Sequence, residues 1–192
     1  MTESHKKIII ITAPSGAGKT SITHWLLGKY PDKLAFSVSA ATRNPRSHEK
    51  DGTDYYFITL DNFKHKIQAG EFVEWEMVYE GKFYGTLKSE LDRIWKAGKT
   101  PLLDIEVKGA IHIREQYPET TLALFIEPPS VDELRRRLEM RGTETVESLL
   151  ARVNKASYEI SFKHHFDLII VNDDLTRACL EAESAIKSFL GW

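Results

Sequence analysis

Four segments of the chain are nearly unbroken apolar runs, in which polar positions do not alternate with apolar ones. They are KIIIITA near the start, PLLDIEV at about 101–107, TLALFIE at 121–127 and DLIIVN at 167–172. Continuous apolarity is typical of strands that helices cover on both faces, as in a parallel sheet. The sequence therefore predicts an α/β fold, a three-layer α/β/α core whose parallel strands are joined by helical, right-handed crossovers.

Two helices of this fold are predicted from their ends. Ser130 and Glu133 have the spacing of a capping box, which predicts that a helix begins at Ser130. The final helix should end at Gly191, because glycine is common just after a helix. That helix is indicated by an apolar stripe consisting of Leu175, Ala178, Ala182, Ile186 and Phe189.

Residues 37–88 interrupt the alternation of strands and helices. They contain the aromatic segments DYYFIT and EFVEWEMVY, a tight turn at 80–82 and a short helix at about 61–69. We interpret 37–88 as a small α+β insert, in which Trp75 is a core residue. The arginine-rich stretch within 129–165 predicts a solvated helical lid. The core then consists of 1–36, 89–128 and 166–192.

Composition and charge narrow the class of protein. The chain has 192 residues and a formal net charge of −2, which suits one compact domain with inserts and excludes a global basic surface for nucleic acid. Its apolar runs are too short to span a membrane. Cys179 is the only cysteine, which is typical of a reducing cytosol. We expect a cytoplasmic protein that binds neither nucleic acid nor membrane, either as a monomer or as a homo-oligomer.

The segment APSGAGKTS, residues 13–21, follows the first predicted strand and precedes a helix, which is the context of a P-loop. Its glycines let backbone N–H groups turn toward phosphate oxygens, and the helix N-terminus adds positive potential. Lys19 would contact the β- and γ-phosphates, and the Thr20 hydroxyl would bind Mg²⁺. Ala13 replaces the first glycine of the strict pattern, which requires only a negative φ there. The sequence thus predicts a nucleoside triphosphate site formed by Ala13, Pro14, Ser15, Gly16, Ala17, Gly18, Lys19 and Thr20.

A second phosphate site is indicated by FSVSAATRNPR, residues 36–46. Arg43 and Arg46 flank a proline that stiffens their loop, and arginine forks suit a phosphate that must be held in one orientation. Tyr55 and Tyr84 lie in the same insert and could donate hydroxyl groups. We interpret the insert as the docking site of a second phosphorylated molecule.

Further segments extend the pattern over almost the whole chain. In order they are APSGAGKT, FSVSAATRNPR, DGTDYYF, GEFVEWEMV, FYGT, LLDIEVKGA, LFIEPPS, LRRRLEMRGTET and LIIVND. Together they resemble the guanylate kinases over about residues 7–188. The resemblance implies a P-loop core, a nucleoside-monophosphate-binding insert and a lid. It also implies Mg²⁺-dependent transfer of a phosphoryl group from ATP to GMP or dGMP.

The resemblance also implies roles for individual residues. Thr20 and Asp104 would hold Mg²⁺, and Asn172 would contribute to ATP binding near the adenine. The implied catalytic residues are Lys19, Arg43, Arg141 and Arg152. The implied GMP-binding residues are Ser39, Arg43, Arg46, Tyr55, Glu74, Tyr84, Thr86, Asp104 and Glu106.

The chemistry of guanine agrees with this assignment. Its N1–H and N2–H₂ donors can be accepted together by one carboxylate, whereas adenine would leave a buried Glu74 poorly paired, a mismatch that can exclude the wrong base by roughly 10⁴-fold. Glu106 and Lys108 stand where the family more often has Asp and Gln. Glu74 could also be a solvent-facing residue of the alternating segment EFVEWE.

Two other functions remain open from the sequence. A catalytically inactive, guanylate-kinase-like protein-interaction module should lack the P-loop lysine and the lid arginines, yet Lys19, Arg141 and Arg152 are present. A kinase of a different phosphorylated acceptor is disfavoured by Ser39, Glu74 and Thr86.

Overall fold

The fold is described from a computed structural model, which covers residues 6–140 and 146–192. A short 3-10 helix lies at Lys163–His165. The other elements follow in the order β1 (Ile8–Thr12), α1 (Lys19–Lys29), β2 (Leu34–Phe36), β3 (Ser39–Ala41), β4 (Tyr55–Phe57), α2 (Leu60–Gln68), β5 (Phe72–Tyr79), β6 (Lys82–Leu87), α3 (Lys88–Lys96), β7 (Thr100–Asp104), α4 (Val107–Gln116), β8 (Thr121–Glu127), α5 (Val131–Met140), α6 (Val146–Ile160), β9 (Leu168–Val171) and α7 (Leu175–Leu190).

The central sheet is parallel. Within the described ranges it has five strands in the order β2-β7-β1-β8-β9, and every neighbouring pair is parallel. The chain thus passes from the central strand β1 to the edge strand β2 and returns to β7 beside β1. It then continues through β8 to β9 at the other edge. Because β1 is central, its carboxyl end opens at the point where the strand order reverses, which is where ligands bind in such sheets. The predicted α/β fold class is confirmed.

Alternate residues of β1 face opposite helical layers. Ile9 and Ile11 pack in a cluster with residues of α1 and α7, whereas Ile8 and Ile10 pack in another cluster with residues of α3 and α4. All four isoleucines are at most 1% exposed, and full burial of each side chain contributes about 1.5–3 kcal/mol. This two-sided burial is the reason that the core strands lack polar alternation.

A separate mixed sheet is formed by the chain between β2 and α3. In the described residues it has four strands in the order β4-β3-β6-β5, and β5 and β6 form an antiparallel hairpin. The hairpin turns at Gly81, whose φ of 68° suits glycine. Helix α2 covers this sheet through Phe63, which is fully buried and stacks near Phe72 at a centroid distance of 4.4 Å.

The prediction that Trp75 is a core residue is wrong. Its side chain is 41% exposed, although it lies 6.1 Å from Phe83 between ring centroids. The residues of β5 alternate in the opposite sense, because Glu74 is only 7% exposed. A carboxyl group, and not the indole, therefore occupies the inner face of this strand, which excludes the solvent-facing alternative for Glu74.

Helices α5 and α6 pack against each other through a small apolar cluster of Leu134, Leu138, Leu149 and Ala156. Helix α5 begins one residue after Ser130, whose Oγ accepts a hydrogen bond of 3.0 Å from the Glu133 N–H, so the predicted cap is confirmed. Gly191 ends α7 in a left-handed conformation, also as predicted. None of the helices in the described ranges is long and apolar enough to cross a membrane.

Candidate active site

The turn between β1 and α1 has the backbone of a phosphate-binding loop. Gly16 and Gly18 have φ values of 95° and 99°, which are left-handed and favour glycine. Within the loop, the Ala17 N–H donates to the Pro14 carbonyl at 3.1 Å. Ala13 has no positive φ, since none of the described non-glycine residues does. Alanine therefore fits the position at which the strict pattern has glycine.

The side chain of Asn172 holds this loop in place. It follows β9, is 5% exposed, and its Nδ2 donates to the Ala17 carbonyl at 2.7 Å. A Cβ atom on Gly18 would overlap this Nδ2. The Asn172 carbonyl in turn accepts from Arg137 Nη2 at 2.9 Å, so the loop is connected to helix α5. The family resemblance implies that Asn172 lies near the adenine of ATP, which stays a prediction. The structure shows that its side-chain amide supports the loop.

Helix α5 lies directly against the loop at Gly16. A Cβ atom added there would lie 3.1 Å from side-chain carbons of both Leu134 and Leu138. Such a separation is tighter than ordinary van der Waals contact, so Gly16 allows the close approach as well as the turn.

Lys19 begins α1 and extends toward the carboxyl end of the neighbouring strand β7. Its Nζ lies 2.5 Å from Asp104 Oδ1 and donates to the Ile105 carbonyl at 3.5 Å. Burial acts to lower the pKa of Lys19, but the carboxylates of Asp104 and Glu106 outweigh it, and the pKa is raised. Lys19 is thus a firmly charged cation at the end of the sheet. Thr20 is exposed on the first turn of the same helix.

Arg43 is held rigidly at the edge of a cavity. It forms a bidentate pair with Glu49, with N–O distances of 2.5 and 2.6 Å, and its Nε donates to the Tyr84 hydroxyl at 3.2 Å. Its guanidinium lies 4.9 Å from the centre of the Tyr55 ring. Glu49 also accepts from the Arg46 N–H at 2.7 Å. Its hydrogen bonds from Arg43 lower the pKa of Glu49 to about 2.

Glu74, on strand β5, also lines the cavity. It is directly paired with Thr86 of β6, whose Oγ1 donates to Glu74 Oε1 at 2.7 Å. Burial raises the pKa of Glu74 to about 7, against the hydrogen bond from Thr86, which lowers it. Gly109 of α4 makes room for the carboxylate, because a Cβ atom on Gly109 would overlap Glu74 Oε2.

Glu106 lies between β7 and α4. It occupies the position just before the helix without capping it through its side chain. Instead, its Oε2 accepts from Lys155 Nζ of helix α6 at 2.9 Å. Lys155 Nζ also lies 3.5 Å from Oε1 of the buried Glu159. The charge of Lys155 helps to lower the pKa of Glu106 against the effect of burial.

A single cavity of about 220 Å³ brings most of the predicted residues together. Thr86 is hydrogen-bonded to Glu74, Thr20 lies on α1, and Asn172 follows β9 and holds the P-loop. Arg152 lies on α6, and Arg141 falls outside the described residues. The predicted residues that line the cavity are Lys19, Ser39, Arg43, Arg46, Tyr55, Glu74, Tyr84, Asp104 and Glu106.

Sequence reasoning missed residues that hold the predicted ones in place. Glu49 was detectable, because an acidic residue three positions after Arg46 in a short loop is a natural partner for its arginines. Lys155 and Glu159 gave no such signal, since they lie some 50 residues from Glu106 in the sequence. Gly109 was hidden because its role depends on the strand that crosses it.

Comparison with known proteins agrees with this geometry. The family profile described as guanylate kinase matches residues 5–189. The guanylate kinase of Bacteroides fragilis is 47% identical, over 100% of this chain and 95% of its own length. That of Porphyromonas gingivalis is 47% identical over 96% and 98%, respectively. The crystal structure of guanylate kinase from Anaplasma phagocytophilum superposes with a TM-score of 0.75 at 31% identity, over 97% of this chain and 87% of that one.

Proposed function

The chain belongs to the guanylate kinase family and is an ATP:GMP phosphotransferase, and we propose that its cavity holds GMP with the phosphate toward Arg43 and the base toward Glu74. The observation that carries this orientation is that Arg43, which is fixed by Glu49 and Tyr84, and Glu74, which is buried and bonded to Thr86, line one cavity of about 220 Å³. The cations Lys19, Arg43 and Arg46 line this cavity, and so does the buried carboxyl group of Glu74. GMP has the complementary arrangement, an anionic phosphate and a base rich in donors.

The acceptor phosphate would be fixed by Arg43, Arg46, Tyr55 and Tyr84. Arg43 is already oriented by Glu49 and Tyr84, so little side-chain entropy remains to be lost when the phosphate arrives. An oxygen of the GMP phosphate then attacks the γ-phosphorus of ATP, and the bond from that phosphorus to the β–γ bridging oxygen breaks. The products are GDP and ADP, and no general base is needed because the attacking oxygen is already anionic.

Cations would carry the charge that develops on the transferred group. Lys19 is placed for this role by its position at the end of the P-loop, where phosphoryl transfer depends on positioning and electrostatics. Arg43 would reach the same group from the acceptor side. The lid would add Arg141 and Arg152, of which Arg152 lies in α6.

The base would be read by hydrogen bonds. Glu74 in its ionised form would accept from guanine N1–H and N2–H₂, with Thr86 holding the carboxylate. Glu106 would add a second acceptor, and Ser39 and Asp104 would complete the surroundings of the nucleotide. Adenine has no donor at N1 and no 2-amino group, so it would leave Glu74 buried without a partner.

The residues present fit Mg²⁺ bound mainly by phosphate and water. In the described part of the chain, no three His, Cys, Asp or Glu side chains are grouped as a metal site. One hydroxyl, Thr20, and one carboxylate, Asp104, accompany the P-loop, which suits an ion that keeps several waters and shares substrate phosphates. When bound, Mg²⁺ would neutralise phosphate charge. Asp104 would hold it through water, since its carboxylate also pairs with Lys19.

ATP would lie along the P-loop from Ala13 to Thr20. We assign to Asn172 a contribution to ATP binding through the shape of this loop, because its amide holds the Ala17 carbonyl.

We also propose that 37–88 forms the GMP-binding insert and 129–165 the lid, which close over the core (1–36, 89–128 and 166–192). Closure would exclude water from the transferred phosphoryl group. A cytoplasmic location suits the single cysteine, Cys179, which is 2% exposed.

A coupled assay of ADP formation tests the assignment of the acceptor. We expect turnover with GMP and dGMP, and kcat/KM lower by roughly 10⁴-fold for AMP or UMP. Faster turnover of AMP, UMP or a sugar phosphate than of GMP would refute the proposed base pocket. The orientation is tested separately with Arg43→Met, which should raise KM for GMP and leave the Kd for ATP within about threefold.

A further inference from the structure

Glu106 is held by a lid residue, although it belongs to the acceptor cavity. Its carboxylate accepts from Lys155 Nζ at 2.9 Å, and Lys155 lies in the middle of helix α6. Lys155 Nζ also lies 3.5 Å from Glu159, one turn further along the same helix. One ammonium group therefore lies between two carboxyl groups, one from the core and one from the lid.

The surroundings of Glu106 would make it a poor hydrogen-bond acceptor without this ammonium group. Glu74 and Glu106 line the same cavity, and Glu159 is only 6% exposed. Burial and the charge of Glu106 raise the pKa of Glu159 to about 7. The Lys155 charge offsets the mutual repulsion of these carboxyl groups and fixes the direction of the Glu106 side chain.

From these contacts we infer that Lys155 is a positioning residue for recognition of the guanine base of GMP. It orients Glu106 toward the N–H donors of guanine and connects the lid helix α6 to the base pocket. The inference rests on the proposed role of Glu106 in GMP binding. It assigns part of the affinity for GMP to a residue that lies outside the insert.

The exposure of the Lys155–Glu106 ion pair distinguishes a positioning role from a role in folding stability. The side chains of Lys155 and Glu106 are 35% and 42% exposed, and ion pairs of this kind contribute little to folding stability. Removing the ammonium group should therefore lower the thermal midpoint of unfolding only slightly, since a protonated Glu159 would relieve the repulsion that Lys155 now offsets. Its effect should appear in the KM for GMP, because a carboxylate that is free to rotate must be reoriented each time GMP binds.

The experiment compares Lys155→Ala with wild type in steady-state kinetics. We expect a KM for GMP raised about three- to tenfold, with kcat and the KM for ATP within about twofold. Lys155→Arg should restore most of the affinity, because it keeps the charge. The matched control is Lys163→Ala, which breaks an ion pair of 2.8 Å between the lid region and Glu127, away from the cavity, and should leave all three constants unchanged.

A shorter carboxylate gives the decisive test. Glu106→Asp shortens this side chain by one methylene and moves its carboxylate away from Lys155, so Lys155→Ala should change the KM for GMP by less than about twofold in the Glu106→Asp background. An equal loss in both backgrounds, or a loss in kcat in place of KM, would overturn the inference.

Glu106→Gln distinguishes a failure of the inference about Lys155 from a failure of the proposed base pocket. If Glu106→Gln raises the KM for GMP and Lys155→Ala does not, Lys155 has no positioning role, and the base pocket stands. If Glu106→Gln has no effect on that KM, the assignment of Glu106 to the base pocket fails, and the inference fails with it.

Discussion

Glu74→Gln should make the free enzyme more stable and at the same time impair its use of GMP. Glu74 is 7% exposed, and burial raises its pKa from the ordinary 4.5 to about 7. Glutamine has nearly the same shape and keeps an oxygen that can accept from Thr86, which now donates at 2.7 Å. The substitution therefore removes the charge and leaves the packing against Gly109 largely in place.

The size and sign of the stability change follow from proton linkage. Between pH 4.5 and about 7 the native state binds more protons at Glu74 than the unfolded state does, so the free energy of unfolding falls as the pH rises through this window. The difference of about 2.5 between the two pKa values corresponds to about 3 kcal/mol. This penalty is absent below pH 4.5 and complete above pH 7, and Glu74→Gln does not carry it.

Urea unfolding at several pH values measures this effect. The gain in the free energy of unfolding for Glu74→Gln over wild type should be near zero at pH 4.5 and should approach about 3 kcal/mol at pH 8. Glu115→Gln, on the exposed surface of helix α4, is the control and should change stability by less than about 0.5 kcal/mol. A gain that is equal at both pH values would show that the charge of Glu74 is not the cause.

The kinetic effect of the same variant has the opposite sign. Glutamine offers guanine one acceptor and places an amide N–H₂ against the base donors, so kcat/KM for GMP should fall roughly 10²-fold, which corresponds to about 3 kcal/mol. The Kd for ATP should stay within about threefold. A variant that gained stability and kept full affinity for GMP would exclude Glu74 from base recognition.

Other variants test the phosphate sites. Lys19→Ala should lower kcat by at least about 10²–10³-fold and leave the Kd for GMP, measured by calorimetry, within about threefold; near-normal turnover would contradict the P-loop role. Gly18→Ala should reduce kcat/KM for ATP by about 10²-fold or more, because φ is 99° and the new methyl group overlaps the Asn172 amide; normal ATP kinetics would mean that the loop relaxes freely. Glu49→Gln should raise the KM for GMP about tenfold by releasing Arg43, and a lowered KM would indicate that Glu49 instead competes with the phosphate.

The fold was predictable from the sequence because its signals are local. The run of isoleucines in β1, the glycines at 16 and 18 and the Ser130 cap each act within one element or between adjacent ones. The wrong prediction that Trp75 is a core residue also has a local physical reason. Large aromatic residues are usually buried, but this strand turns the carboxyl group of Glu74 inward, and the indole of Trp75 takes the outer face.

The site was predictable only for residues that would touch a nucleotide. Its supports depend on contacts between distant segments, such as Ala17 with Asn172 and Glu106 with Lys155. A single sequence has no periodicity or spacing that signals such pairs. Glu49 is the exception, because it lies in the same loop as the arginine that it holds.

The cost of burying Glu74 is itself an argument for base recognition. A protein selected for stability alone would place an apolar residue or an amide at this position, since the carboxylate lowers stability at neutral pH. The cost is offset only when a molecule with paired N–H donors enters the cavity, because such donors stabilise the ionised form. Lys19, Arg43 and Arg46 line the same cavity and would stabilise an anionic group. A single molecule with a phosphate and adjacent N–H donors would therefore bind these cations and offset the cost of ionising Glu74. A purine monophosphate without those donors would satisfy only the cationic part and leave Glu74 to take up a proton, which makes discrimination against AMP strongest at high pH.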